Sequence, residues 1–158
     1  MKKAVVFILA IGLGGYATVD RAWSQTSSEE EAVIAVVAEL FEGMHTRDGD
    51  LLRSLFHDDA LMTGTGLRDG HYRVSMNPPD GWIESISTGT GPDLEERFYD
   101  PVVQVSGPLA SVWTEYDLFV GGEFRHCGVD AFHLVKTDDG WKIVHLADTR
   151  VRDGCPER

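Results

Sequence analysis

Basic residues are scarce in this chain, 14 Lys and Arg against 26 Asp and Glu in 158 residues, a formal charge of −12. An acidic surface repels phosphate backbones and anionic lipid, which argues against a nucleic-acid or membrane-surface partner. Cysteine is scarce too. Cys127 and Cys155 can supply a single disulfide, and only in an oxidising compartment. The chain lacks a P-loop, a dinucleotide fingerprint, an HExxH helix and a G-x-S-x-G nucleophile elbow, so enzymes built on those elements are disfavoured. There is no internal repeat, no low-complexity segment and no second domain. The length is that of one domain with a real core.

One apolar run stands out. Lys2 and Lys3 precede the stretch from Ala4 to Val19, and Ala22 and Ser24 are small residues flanking a cut after Ser24. A charged start, an apolar stretch and a small-x-small site read as a secretory signal peptide over residues 1–24. The run is short for a membrane span, and no cysteine near the cut invites lipid attachment. The expectation is a periplasmic or secreted domain over residues 25–158, with no membrane contact in its mature form. Export would permit Cys127 and Cys155 to pair. That pairing stays open, because the "DGCPER" tail must fold back to make it.

Past the cut, "SSEEE" predicts a helix start, with Ser28 and Glu31 as a capping box. Val33, Val37, Leu40, Phe41 and Met44 then recur at helical spacing. A short second helix is expected in "DGDLLRSLF", capped by Asp50, and a third in "PPDGWIESIS" with Trp82, Ile83 and Ile86 on its buried side. His45 and His57 fall at expected helix ends, where the dipole favours a cation. His71 and Tyr72 fall in a Gly-rich loop that could serve as a lid. From residue 94 the period becomes that of strands, at about 94–105, 109–120, 123–136 and 141–151, with a shorter edge strand at 60–66. Helices followed by an antiparallel meander are an α+β pattern.

The segments "LFEGMHTRDGDLLRSLFHDDALMTG", "VSGPLASVWTEYDLFVGG" and "HCGVDAFHLVKTDDGWKIVHLADTR" together resemble the nuclear transport factor 2-like superfamily. Within it they are most similar to the SnoaL-like and putative lumazine-binding bacterial members. The resemblance covers the mature domain and implies a cone: a strongly curved sheet wrapped around the N-terminal helices, with a pocket at the open end. It also implies dimerisation through the convex face, and pocket chemistry by Asp, His and Tyr side chains in those relatives that are enzymes. Because the superfamily hosts isomerases, dehydratases, hydrolases and ligand binders, the fold alone does not name an activity.

Strand alternation sorts the candidate residues. A loop over 137–140 sets Leu134 opposite Ile143 and predicts an inner face carrying His126, Asp130, Phe132 and Leu134 with Trp141, Ile143 and His145. Cys127 and His133 then face outward with Leu146, Asp148 and Arg150. His126 and His133 lie on opposite faces, and His126 and His145 lie too far apart along the strands, so no metal site is expected. No cofactor is expected either. Asp130 and His145 become the candidate acid–base pair. The register of the 109–120 strand decides a third residue. A two-residue turn at Gly121–Gly122 turns Trp113 inward opposite Asp130, whereas a bulge turns Tyr116 inward beside His126, as a donor to a substrate oxygen. Trp113, His126, Phe132 and Trp82 are the candidate ligand-binding residues. The partners expected are a small apolar or aromatic ligand and a second copy of the chain on the convex face. Binding without turnover, then an isomerase, dehydratase or hydrolase chemistry, and last an interaction module working through the convex face are the functional expectations.

Overall fold

The computed structural model describes residues 17–158, with side chains from residue 28 onward. Most of the expected signal peptide, residues 1–16, lies outside the described residues. The elements run α1 (Ala17–Thr46), α2 (Gly49–Leu55), β1 (Phe56–Arg68), β2 (His71–Asn77), α3 (Asp80–Ser87), β3 (Leu94–Ser106), β4 (Leu109–Val120), β5 (Glu123–Thr137) and β6 (Gly140–Thr149). The six strands form one sheet in the order β2-β1-β6-β5-β4-β3, with β3 to β6 as an antiparallel meander. Helices precede the meander and cover one face of the sheet, so the domain is α+β.

Helix α1 buries the stripe read from its spacing: Val33, Val37, Leu40, Phe41 and Met44 are all in the core. Its path differs from expectation, because it begins at Ala17 and leaves Ser28 inside the helix rather than at its cap. Glu29 instead ties the helix to the sheet. Its carboxylate accepts from Trp141 Nε1 at 2.9 Å and from Lys136 Nζ at 2.5 Å. Arg47, in left-handed backbone at φ 57°, reverses the chain. Its guanidinium donates to the carbonyls of Ile86, Gly91 and Pro92, clamping α1 to the end of α3. The cap of α2 is Asp48 and not Asp50. Its Oδ1 accepts from Asp50 N at 3.1 Å and Leu51 N at 2.9 Å.

Two further expectations are corrected in the first strands. His57 lies in β1 rather than at a helix end, and β1 is not an edge strand: it runs parallel to β6, with Met62 beside Leu146 and Gly64 beside Asp148. The edge is β2, which includes His71 and Tyr72, so those residues are strand and not a lid loop. The β2 residues are exposed on both faces, and without a buried face its alternation carries no signal of a strand.

The core lies where the sheet meets the helices. Val112, Phe132, Leu134 and Ile143 pack against Val33, Val37 and Leu40, and Phe41 sets its ring edge-on to Phe132 at 6.5 Å. At that end the β5–β6 register is the expected one, with Leu134 opposite Ile143 and Thr137 opposite Gly140. Beyond it Val144 is bulged out, and the pairing resumes as His133–His145 and Asp130–Asp148. A second bulge, at Arg125, follows the Gly121–Gly122 turn. Both glycines have positive φ, 62° and 81°, as a tight hairpin with right-handed strand twist requires.

Candidate functional site

The bulges decide which side chains meet. With the shift at Arg125, Thr114 sits opposite Asp130 and Tyr116 opposite Gly128, so Tyr116 faces inward and Trp113 faces outward, 59% exposed. The shift at Val144 does the same to β6. His145 is turned to the outer face, where its ring stacks on His133 at 5.9 Å and its Nε2 meets Thr63 Oγ1 at 3.0 Å. Asp130 and His145 therefore do not form a pair. Leu146, Asp148 and Arg150, expected outside, line the interior instead.

Inside the open end of the cone is a cavity of about 720 Å³. Leu40, Phe41 and Met44 of α1 form one wall, Trp82 and Ile86 of α3 another, and Met62, Leu118 and Leu146 of the sheet a third. Trp82 is held with its ring edge-on to Phe56, 6.2 Å away. Of the residues picked out from the sequence, Asp130, Tyr116, His126 and Trp82 come together on this cavity. Phe132 lies beneath it in the core, 1% exposed, and Trp113 is on the opposite face.

The polar groups gather on the sheet side. Asp130 is 3% exposed, and its carboxyl shares a hydrogen bond with that of Glu96, from β3. Two carboxylates cannot share a bond without a proton between them. Burial first, then the Asp130 charge and the shared bond, raise Glu96 well above the ordinary carboxyl range. Burial and the Asp148 charge push Asp130 up to about 7, against the lowering effect of the Glu96 bond. Both carboxyls are therefore raised, and the pair shares a proton. Arg150 donates from Nε to Asp148 Oδ2 at 2.5 Å, so the guanidinium is already matched by its own carboxylate. His126, half-buried with its ring edge-on to Tyr116 at 5.8 Å, has its pKa lowered by desolvation and then by Arg150, which favours the neutral imidazole.

Tyr116 is held by a detail that the sequence shows only as a glycine. Its hydroxyl donates to the Thr149 carbonyl at 2.9 Å. A Cβ on Gly128 would come within 1.9 Å of that carbonyl oxygen and 2.7 Å of Tyr116 Cε1. Gly128 is what lets β6 and the tyrosine ring approach. With its proton engaged there, Tyr116 offers the cavity an acceptor lone pair, not the donor expected for a substrate oxygen. Desolvation, then the nearby carboxylates, raise its pKa and keep the phenol neutral.

Glu96 is not among the candidates read from the sequence, although it falls in the expected 94–105 strand. The signal was present, since Leu94, Glu96 and Phe98 alternate on one face and both flanking residues pack against the core. On the outer face the tail does fold back, with Cys127 and Cys155 joined in a disulfide whose Cα atoms are 5.9 Å apart. The same tail sets Arg158 beside Glu115 and over the Tyr99 ring. Among the described residues no group of three His, Cys, Asp or Glu is placed to hold a metal ion, and no helix is long and apolar enough to cross a membrane.

A curved sheet folded over helices, with a chamber at its open end, defines a nuclear transport factor 2-like domain. Solved structures agree on that class. A protein of this class with a cystatin-like fold from Novosphingobium aromaticivorans matches with TM-score 0.68 at 17% identity, over 91% of this chain and 94% of that one. A superfamily protein from Salmonella enterica serovar Typhimurium matches with TM-score 0.64 at 16% identity, over 84% and 99%. A Streptomyces avermitilis protein named a putative dehydratase matches with TM-score 0.61 at 20% identity, over 79% and 97%. Residues 28–147 match the family model described as "Putative lumazine-binding", and the chain belongs to that family. No curated protein matches it.

Proposed function

We propose that the protein is an exported binder that holds a small, largely apolar molecule in the chamber of the cone. The observation that carries this reading is the chamber itself: about 720 Å³, walled by Phe41, Met44, Trp82 and Leu118, with its polar groups gathered at one side. Apolar walls and a few convergent polar groups are the usual build of a small-molecule site. The family's description as lumazine-binding supports a ligand of that size. Export is supported by the Lys2–Ser24 pattern and by the Cys127–Cys155 bond, which the cytosol disfavours. A second copy of the chain on the outer face is supported by the exposed Trp113, Tyr72, Val74 and Met76.

Native mass spectrometry of the chain purified from the periplasm tests the reading. The expected result is a chain starting at Gln25 with a noncovalent adduct that is lost in Leu118→Trp, which fills the chamber. An adduct-free wild-type chain overturns binding, and a retained leader overturns export.

One observation favours acid–base catalysis as a second reading. The Glu96–Asp130 pair holds a proton near neutral pH, as a general acid must. The dehydratase name of the Streptomyces relative is compatible with it. On this reading Glu96 takes the part first given to His145. Any turnover found should vanish in Asp130→Asn, and full activity in that variant excludes the pair from catalysis.

A further inference from the structure

The charges inside the chamber do not balance. Facing the Glu96–Asp130 pair are Asp148 and Arg150 from the β6 side, Tyr116 from β4, His126 from β5 and Asp80 from the start of α3 at the chamber's rim. Helix α1 and strands β1 and β2 contribute only uncharged residues to the lining. Arg150 is matched by Asp148, Tyr116 and His126 are neutral, and Asp80 adds a further negative charge. Arg150, already bonded to Asp148, attracts Glu96 and Asp130 only as a lesser influence beside burial, and no basic side chain among the described residues forms an ion pair with either carboxyl, so the two share a proton. Asp130 is almost wholly buried yet opens onto the chamber, and its carboxyl is hydrogen-bonded to another carboxyl rather than to a cation or a backbone amide.

We propose that the ligand carries an amine, and that its ammonium group takes the place of the proton between Glu96 and Asp130 while an apolar ring or chain fills the space against Phe41, Met44 and Trp82. This rests on the small-molecule reading and narrows it to a ligand class. An ammonium offers donors to both carboxylates at once, and an enclosed low-dielectric site strengthens that pairing. The balance is simple: the cation enters, the proton shared by Glu96 and Asp130 leaves to solvent, and the net charge of the chamber is unchanged. Carboxylates and phosphates are excluded by the same residues. The acidic surface of the whole chain raises the local concentration of cations at the mouth.

Binding therefore releases a proton, and affinity rises with pH until the amine itself deprotonates. The test compares benzylamine, benzyl alcohol and benzoate, which share a ring and differ in the group offered to the pair. Calorimetric titrations of the full disulfide-bonded chain at neutral pH, in phosphate and in Tris, give affinity and proton release together. Benzylamine is expected to bind about tenfold or more tighter than benzyl alcohol, with release of about one proton, and benzoate not to bind. Glu96→Gln should reduce the proton release and weaken benzylamine far more than benzyl alcohol, with a wild-type circular-dichroism spectrum showing that the variant is folded. Equal or tighter binding of the alcohol, preference for benzoate, or amine binding without proton release overturns the amine assignment while leaving a small-molecule site. Failure of all three probes also overturns it, and the chamber reading is then judged by its copurifying adduct alone.

Discussion

The inner face of the sheet has two halves made by the same strands. Near the turns that join β3 to β4 and β5 to β6, Val112, Leu134 and Ile143 are sealed against α1, and Leu134 and Ile143 have no exposed surface. Toward the open end the same strands present Leu118, Asp130, Asp148 and Glu96 to a chamber. One half is a packed interior in which every methyl group has neighbours. The other is an interior with its centre left out. Polar groups can be buried in the second half only because they face space that water or a ligand can share, and because they hydrogen-bond one another.

The sharpest way to break this contrast is at the packed half. Leu134→Ala should cost about 3–5 kcal/mol, the upper range for such truncations, because Phe132, Ile143 and the α1 stripe leave little room to collapse. Denaturant unfolding measures it, and a loss under about 1 kcal/mol would show that the packed half is not packed.

Gly128→Ala should come next, at about 2–4 kcal/mol, since its Cβ cannot coexist with the Thr149 carbonyl 1.9 Å away. The end of β6 must move and the Tyr116–Thr149 hydrogen bond must break. The variant should therefore lose both thermal stability and any ligand affinity. Retention of both would show that Tyr116 is not held there by the close approach.

The packed half was legible in the sequence and the chamber half was not. The α1 stripe, the bounds of β3 to β6 and the Leu134–Ile143 register all follow from periodicity, because each is enforced by burial on one side. The misplacement of His145 and the open choice between Trp113 and Tyr116 have one shared reason. An extra residue at Val144 or Arg125 inverts the faces beyond it, and neither residue type marks a bulge. The two alternatives at this hairpin combine: the two-residue turn at Gly121–Gly122 forms, and the bulge just after it turns Tyr116 inward. Edge strand β2 escaped because nothing covers either of its faces. Asp130 was found because a lone acid among apolar alternates is conspicuous, whereas its partner Glu96 was hidden in a run of three charged residues.

The chamber half has a signature in pH. A carboxyl whose pKa is raised on folding binds a proton in the native state that the unfolded chain has released. Stability therefore falls as pH rises from the ordinary carboxyl range through the folded value, about 7 for Asp130. Asp130→Asn keeps a hydrogen-bonding group beside Glu96 and removes one of the two charges. It should be more stable than wild type by roughly 1–3 kcal/mol at mildly alkaline pH, with the advantage disappearing at acidic pH. Chemical denaturation at several pH values gives the two slopes. Parallel slopes would mean that the pair does not share a proton.

The smallest effect is the most discriminating, because it repeats the first substitution in the other half. Leu118 lies on the same face of the sheet as Leu134 but borders the chamber and keeps partial exposure. Leu118→Ala enlarges an existing space rather than opening a new one. The lost burial is partial, and little cavity cost is added to it. A loss of about 1 kcal/mol or less is expected, well below that at Leu134. Ligand affinity should respond the other way, falling in Leu118→Ala while a refolded Leu134→Ala retains it. If the two leucines cost the same to truncate, the chamber is closed by packing in solution, and the division of the inner face into two halves fails.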